Sequence, residues 1–266
     1  MALDVAIQVV NYRTRAPLEA CLPTVLADAP EARVLVLDNA SGDDLSGLAA
    51  RHPQVELVLG ERNLGFGAGH NLLATRHDAG ALLLLNPDAR FVEPRTVERL
   101  LGALGGGVHA VGPQLVTASG EWDPRDHGEL DGFRARVAQA AGSSHYRRRE
   151  APADAAWVSG AACMVLRRAF DAVGGFDPGF FLYKEEEDLF LRIRRAGGRV
   201  VYLPSVRVRH DGAAVASREA HMPASAARFA DKHIRSRLQR RVMPPVHRAV
   251  ATWGGRLDRL RRELAR

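Results

Sequence analysis

Four short apolar runs constrain this chain more than any other feature: "VAIQVV" (5–10), "ARVLVLD" (32–38), "VELVL" (55–59) and "ALLLLN" (81–86). Each has the length of a strand rather than a helix, and their near-continuous apolar character is that of strands buried in a sheet. Between the first two, Leu18, Cys21, Leu22, Val25 and Leu26 recur at helical spacing. Between the third and fourth, "GHNLLATRHDAG" forms a second helix. Strand, helix, strand in this rhythm predicts an α/β chain with a Rossmann-like, mostly parallel central sheet flanked by helices.

Three of the runs end in polar residues: Asn11 after the first, Asp38-Asn39 after the second and Asn86-Pro87-Asp88 after the fourth. Ligands of open α/β sheets sit beyond the carboxyl ends of the strands, so three such ends in one half of the chain point to one crevice. Asp88 is a carboxylate at a strand end and suits a hard divalent cation such as Mg²⁺ or Mn²⁺. An ordinary Asn-Pro-Asp turn explains the same residues.

The second half is less regular. After Gly105-Gly106-Gly107, residues 119–153 are rich in Arg, Asp, Gly and Ala with weak periodicity, and are expected as a long mobile excursion. A segment rich in glycine and aromatics (157–183) then leads into "YKEEEDL" (183–189), where four carboxylates stand side by side. Acids in a first helical turn are favoured by the helix dipole and could all face water; clustered carboxylates also push one another's pKa up, as a general base requires. Leu189, Leu191, Ile193 and Ala196 continue the helix, and Gly197-Gly198 ends it. "RVVYLP" is a further strand, with His210 close behind it.

"NLGFGAGHN" (63–71) invites a dinucleotide reading, but G-x-G-x-x-G requires glycine at position 70, which is His70. The stretch also comes after the third strand rather than the first, so it is rejected as a dinucleotide site. Its glycines suit close backbone approach to a ligand or tight loop packing.

The net charge of +6 is unevenly spread: residues 228–266 hold twelve Lys or Arg against three acids, a net +9. The main body is therefore slightly acidic, and with no recognisable motif beside the basic tail the chain is not expected to bind nucleic acid. Cys21 and Cys163 are the only cysteines and lack metal-ligand spacing, which argues for a reducing, cytoplasmic setting. The N-terminus reads as a first strand rather than a leader, and no apolar run reaches the roughly 20 residues that span a bilayer.

Seven stretches in order carry a family likeness: "VVNYR", "VLDNASGD", "NLGFGAGHN", "LLLLNPDA", "WVSGAACMVLRR", "GGFDPGFFLYKEEEDLFLRIRRAG" and "VYLPSVRVRHDG". Over about residues 5–212 the chain resembles glycosyltransferase family 2, inverting enzymes with the GT-A fold, and most closely its rhamnosyltransferase-like branch. The resemblance implies a nucleotide-sugar-binding half (1–110), an acceptor-binding and catalytic half (111–227) and a basic helical tail (228–266). It implies transfer of a sugar onto a glycan or lipid-linked acceptor, with L-rhamnose from dTDP-rhamnose as the leading donor. UDP-linked hexose or N-acetylhexosamine is the alternative donor, and a non-catalytic nucleotide-sugar-binding relative the alternative role.

Residue by residue, Asp38 maps to the acid that binds the nucleotide. Asn86-Pro87-Asp88 maps to the metal motif, with Asp88 the principal ligand of Mg²⁺ or Mn²⁺ and His210 completing the site. Glu185-Glu186 maps to the catalytic pair, Glu186 supplying the base, with Asp188 the alternate. The matched stretches further imply substrate contacts from Asn11, Asn39, Asn63, Gly65, Phe66, Gly69, Asn71, Asn86, Trp157 and Gly160.

In the tail, Val242, Val246, Val250, Trp253, Leu257, Leu260 and Leu264 are broadly helix-spaced among arginines. Such a helix suits docking on an anionic membrane, making the protein peripheral on the inner face of the cell membrane; packing on the body or an oligomer contact is the alternative.

Overall fold

The computed structural model describes residues 4–130, 145–212 and 218–233. The first four expected strands form as read: β1 (Val5–Asn11), β2 (Arg33–Asp38), β3 (Val55–Leu59) and β4 (Ala81–Leu85). They lie side by side in the order β3-β2-β1-β4, every pair parallel, with Asn11 in register with Asp38. Helix α1 (Arg15–Asp28) packs Leu18, Cys21, Leu22 and Val25 onto one face. Helix α3 (Phe66–Ala74), which comes after the short α2 (Ser46–Arg51), covers the other through Leu73. The order reverses at β1/β4, so the crevice of an open α/β sheet opens between Asn11 and the Asn86–Asp88 turn.

Beyond β4 the sheet becomes mixed. After β5 (Ala89–Phe91) and α4 (Thr96–Gly102) come β6 (Val108–Val116), β7 (His127–Glu129), β8 (Ala153–Val158) and β9 (Ala162–Leu166). Next in the chain are α5 (Arg167–Ala172), α6 (Glu185–Arg195), β10 (Arg199–His210) and α7 (Arg218–His233). The sheet continues β4-β9-β6-β10-β8-β7, with β9 antiparallel to both β4 and β6. Residue 110 thus falls inside β6, and residue 227 inside α7.

Strand β10 does the most to shape the site. Leu203 pairs with Pro113 but Arg207 with Gln114, leaving Pro204, Ser205 and Val206 as a bulge. Proline tolerates such a break in the ladder, and a bulge re-aims the residues beyond it. Past this point Val208 to His210 also pair with β5, and His210 comes into register with Ala89, next to Asp88.

The expected excursion at 119–153 departs from that reading at both ends. Asp126 is fully buried and accepts hydrogen bonds from Leu115 N, Trp122 Nε1 and Tyr202 Oη, while His127 stacks on the Tyr202 ring at 3.8 Å. An ion pair joins Glu129 to Arg149. Residues 131–144 lie outside the described part, as do residues 234–266 and with them the tail helix.

Candidate active site

At the carboxyl end of the sheet, Asp88 is 3% exposed, and His210 Nε2 lies 3.4 Å from its Oδ1 and 3.3 Å from Asn86 Nδ2. Asp211 N donates to Asp88 O at 3.2 Å, locking the turn to the end of β10. One carboxylate oxygen and one imidazole nitrogen converge here. That donor set fits Mg²⁺ or Mn²⁺, provided a ligand and water supply the remaining oxygens. Among the described residues no group of three or more His, Cys, Asp or Glu forms a self-sufficient metal cage.

The turn at 159–161 links this pair to the acidic helix. Asn86 N donates to Ala161 O at 2.9 Å, and Ser159 N donates to Asp126 O at 2.8 Å. On the far side, a Cβ placed on Gly160 would stand 3.0 Å from the Phe66 ring and 3.9 Å from Glu186 Cβ. Asp88, His210, Asn86, Gly160, Phe66 and Glu186 are therefore neighbours around one turn.

All four acids do occupy the first turn of α6, as a helix start would have them, but they are not a solvated face. Glu185 is 3% exposed, and its Oε2 finds no hydrogen-bond partner among the described residues. Burial, reinforced by the charge of Glu186, raises its pKa well above the usual carboxylate value. Glu186 is half-buried, and Glu187 pairs with Lys184 at 2.7 Å. Asp188 is fully buried among basic side chains: Arg192 Nε at 2.8 Å, Lys232 Nζ at 2.8 Å and His233 Nε2 at 2.7 Å. Burial alone would push its pKa up, but the hydrogen bonds from His233, Lys232 and Arg192 outweigh it and hold it low.

Other residues expected at the substrate spend their contacts on the protein. Asn39 donates to Asn63 Oδ1 and Gly65 O and accepts from Leu64 N, and Asn63 in turn accepts from Gly65 N. Asn71 bonds both the N–H and the carbonyl of Phe176. Gly69 lies against Val10 and Leu37. Trp157 is buried beside Gly128 and edge-on to Tyr146. Asn11, fully buried, accepts from Thr14 and donates to Asp43, while Asp38 is half-buried and caps Ser41 N.

Sequence reading missed two supports of the site: the Asp126 network beneath the 159–161 turn, and helix α7. The second was hidden by the charge count, which placed Arg228 and Lys232 in a basic tail read first as a membrane-docking helix, with packing on the body as the alternative. In the fold they end a helix packed on the body, facing Asp177 and Asp188.

A model of the family described as "Glycosyltransferase like family 2" matches residues 3–236. The chain belongs to glycosyltransferase family 2. This family 2 glycosyltransferase is 30% identical to an N-acetylglucosaminyl-diphospho-decaprenol L-rhamnosyltransferase of Mycobacterium tuberculosis, with 84% of this chain and 83% of that one covered. A 41% identical stretch, 20% of each chain, is shared with the rhamnosyltransferase WbbL of Escherichia coli. Solved structures establish the GT-A fold. GalNAc-T7 with UDP, GalNAc and Mn²⁺ superposes with a TM-score of 0.65 at 14% identity, over 86% of this chain and 48% of that one. A Pyrobaculum calidifontis mannosyltransferase with GDP-Man and Mn²⁺ gives 0.62 at 17% identity, over 93% and 69%.

Proposed function

We propose that this glycosyltransferase moves L-rhamnose, with inversion, from dTDP-rhamnose to a hydroxyl of a lipid-linked glycan acceptor. The observation that carries the reading is the arrangement around the 159–161 turn, with the Asp88–His210 pair on one side and Glu186, beside the buried Glu185, on the other. The choice of sugar and lipid-linked acceptor rests on the mycobacterial relative, whose name states both.

Each residue has a task on this reading. Asn11 and Asp38 line the nucleotide end of the crevice. Burial raises the pKa of Glu185 and favours its neutral form, while the less buried Glu186 accepts the acceptor's hydroxyl proton. The acceptor oxygen bonds to the anomeric carbon as the bond from that carbon to the diphosphate oxygen breaks, and the nucleoside diphosphate leaves with both electrons. Asp88 and His210 would hold Mg²⁺ or Mn²⁺, which when bound offsets charge on the departing diphosphate. Asp188, already committed to Arg192, Lys232 and His233, supports the helix start.

Residues 1–110 supply the donor side and 111–227 the acceptor side. The basic segment beyond α7 holds the enzyme peripherally at the cytoplasmic face of the membrane, where a lipid-linked acceptor lies. Among the described residues no helix is long and apolar enough to cross a membrane.

A thermal-shift screen of dTDP- and UDP-sugars with and without Mn²⁺ tests the reading on wild type, Asp88→Ala and His210→Ala. A cognate donor stabilises the fold by mass action. The expected result is a shift with dTDP-rhamnose that needs Mn²⁺, is lost in Asp88→Ala and is reduced in His210→Ala. Equal shifts in all three proteins overturn the metal assignment, and a shift with UDP-sugars alone overturns the donor.

A further inference from the structure

Helix α7 lies against the loop that delivers the catalytic acids, and its contacts concentrate on that loop's two ends. Lys232 Nζ is 2.6 Å from Asp177 Oδ2, where the loop starts, and 2.8 Å from Asp188 Oδ1, in the first turn of α6. One ammonium thus joins residues 177 and 188, with the fully buried Phe180 ring 5.7 Å beneath it. Arg228 adds a second bond to Asp177 and also lies over Phe180, at 5.2 Å. Ser225 Oγ donates to Leu182 O at 2.7 Å, and Lys184 lies over the Phe229 ring at 5.7 Å.

The loop needs such a hold. Tyr183 and Lys184, directly before Glu185, are consecutive non-glycine residues in the left-handed region, with φ of 69° and 68°. Neither side chain favours that conformation, and it persists only where surrounding contacts over-determine it. Helix α6 has no side-chain N-cap hydrogen bond, and within the helix the entry is held by the Lys184–Glu187 ion pair and the bond from Asp188 N to Lys184 O, neither of which reaches back to Asp177. From the opposite side, Phe66 N and Asn71 hold Phe181 and Phe176, but neither touches residues 182–188 through a hydrogen bond. Contacts to Leu182, Lys184 and Asp188 come instead from Ser225, Phe229, Lys232 and His233.

We propose that Lys232 is a positioning residue for transfer: by bridging Asp177 and Asp188 it holds the strained 183–184 turn that aims Glu186 at the acceptor hydroxyl. The inference rests on Glu186 being the base. It places α7 inside the catalytic apparatus, although α7 contributes no group to the reaction. Lys232 acts on the base side of the 159–161 turn and leaves the Asp88–His210 side intact. Its loss should therefore lower kcat while sparing donor affinity.

The test compares Lys232→Met, Lys232→Arg and Glu186→Gln in the full chain. Turnover is measured with dTDP-rhamnose and a short-chain N-acetylglucosaminyl-diphosphate lipid, and hydrogen exchange across residues 177–188. Lys232→Met is expected to lose on the order of tenfold to a hundredfold in kcat, the scale of a small misplacement of a catalytic group. Donor KM should stay within about twofold, protection should fall in 177–188 but not in β1–β4, and Lys232→Arg should recover most of kcat. Wild-type kcat in Lys232→Met, or equal losses in kcat and donor affinity, overturns the inference. Glu186→Gln separates the two ideas: native turnover there removes the base assignment, whereas a slow Glu186→Gln beside a fully active Lys232→Met removes only the role of Lys232. If Lys232→Met does not fold, Ser225→Ala, which deletes one hydroxyl contact to Leu182, is read by the same criteria.

Discussion

Gly65 and Phe181 meet so closely that Gly65 has no room for a side chain. A Cβ there would lie 2.1 Å from the Phe181 carbonyl oxygen, which accepts a hydrogen bond from Phe66 N at 3.1 Å. Gly65 also has φ 81° and ψ −176°, a region open essentially to glycine alone. Two of the glycines of "NLGFGAGHN" therefore serve close contact with the 176–181 segment: Gly67 packs on Phe176 as Gly65 does on Phe181.

Gly65→Ala combines backbone strain with a clash against main chain, neither of which can relax cheaply. It should cost roughly 2 kcal/mol or more, or about 4–8 °C in Tm for a chain of this size. Thermal unfolding checks this, and an unchanged Tm would mean the two loops are not in contact.

Glu186→Gln keeps the size and polarity of the side chain but cannot take a proton. Transfer should slow by roughly 10²–10⁴-fold while donor affinity holds, because the base meets the acceptor and not the nucleotide. Single-turnover kinetics beside calorimetry of the nucleoside diphosphate separate these effects. Near-native rates in Glu186→Gln with an inactive but folded Asp188→Asn would instead make Asp188 the base.

Glu185 carries a pH signature of its own. Its folded-state pKa stands above the ordinary 4.5, so the native state binds this proton more tightly than the unfolded chain does. That contribution is complete below pH 4.5 and is lost as pH rises from there through the folded pKa. Asp188 works oppositely: its lowered pKa stabilises above the ordinary 3.8 and is lost on acidification. Glu185→Gln should therefore unfold at nearly the same temperature from pH 5 to pH 8 relative to a wild type whose Tm declines over that range. Parallel profiles for the two proteins would show that Glu185 releases its proton normally.

Membrane docking of the basic segment requires a cut that spares α7. Truncation after Ala227, where the charge run begins, would remove Arg228, Lys232 and His233 from Asp177 and Asp188. A chain ending at His233 keeps those contacts. It should lose co-sedimentation with phosphatidylglycerol vesicles yet still turn over a soluble acceptor analogue, because each basic residue near the surface adds about 1 kcal/mol of attraction. Equal sedimentation of both chains would assign the segment to packing or self-association.

The sequence made the parallel half of the sheet legible because β1, β2 and β4 are buried on both faces, and strands buried in that way read as short, nearly continuous apolar runs. Asp88, His210 and Glu186 were legible because they lie at strand or helix ends, where polar residues interrupt apolar ones. Lys232 was not, since a charge count cannot distinguish an ammonium facing water from one facing two carboxylates across 40 or more residues of chain. Nor was Asp126, whose partners Leu115, Trp122 and Tyr202 come from three separate segments. Periodicity reports which face of an element is buried, and long-range polar pairing leaves no period.

The insertion of β9 between β4 and β6 also dictates when this sheet can close. Its residues are made some 80 positions after the Leu-rich β4 they must pair with. Until Leu166 is available, β4 presents an open, apolar edge to any other chain nearby. A fragment ending near residue 110 would keep that edge permanently, because it holds the parallel core without the strand that covers it. Long-range pairing of this kind slows folding and leaves sticky intermediates exposed on the way. The strand that completes the sheet is thus also its protection against aggregation during synthesis.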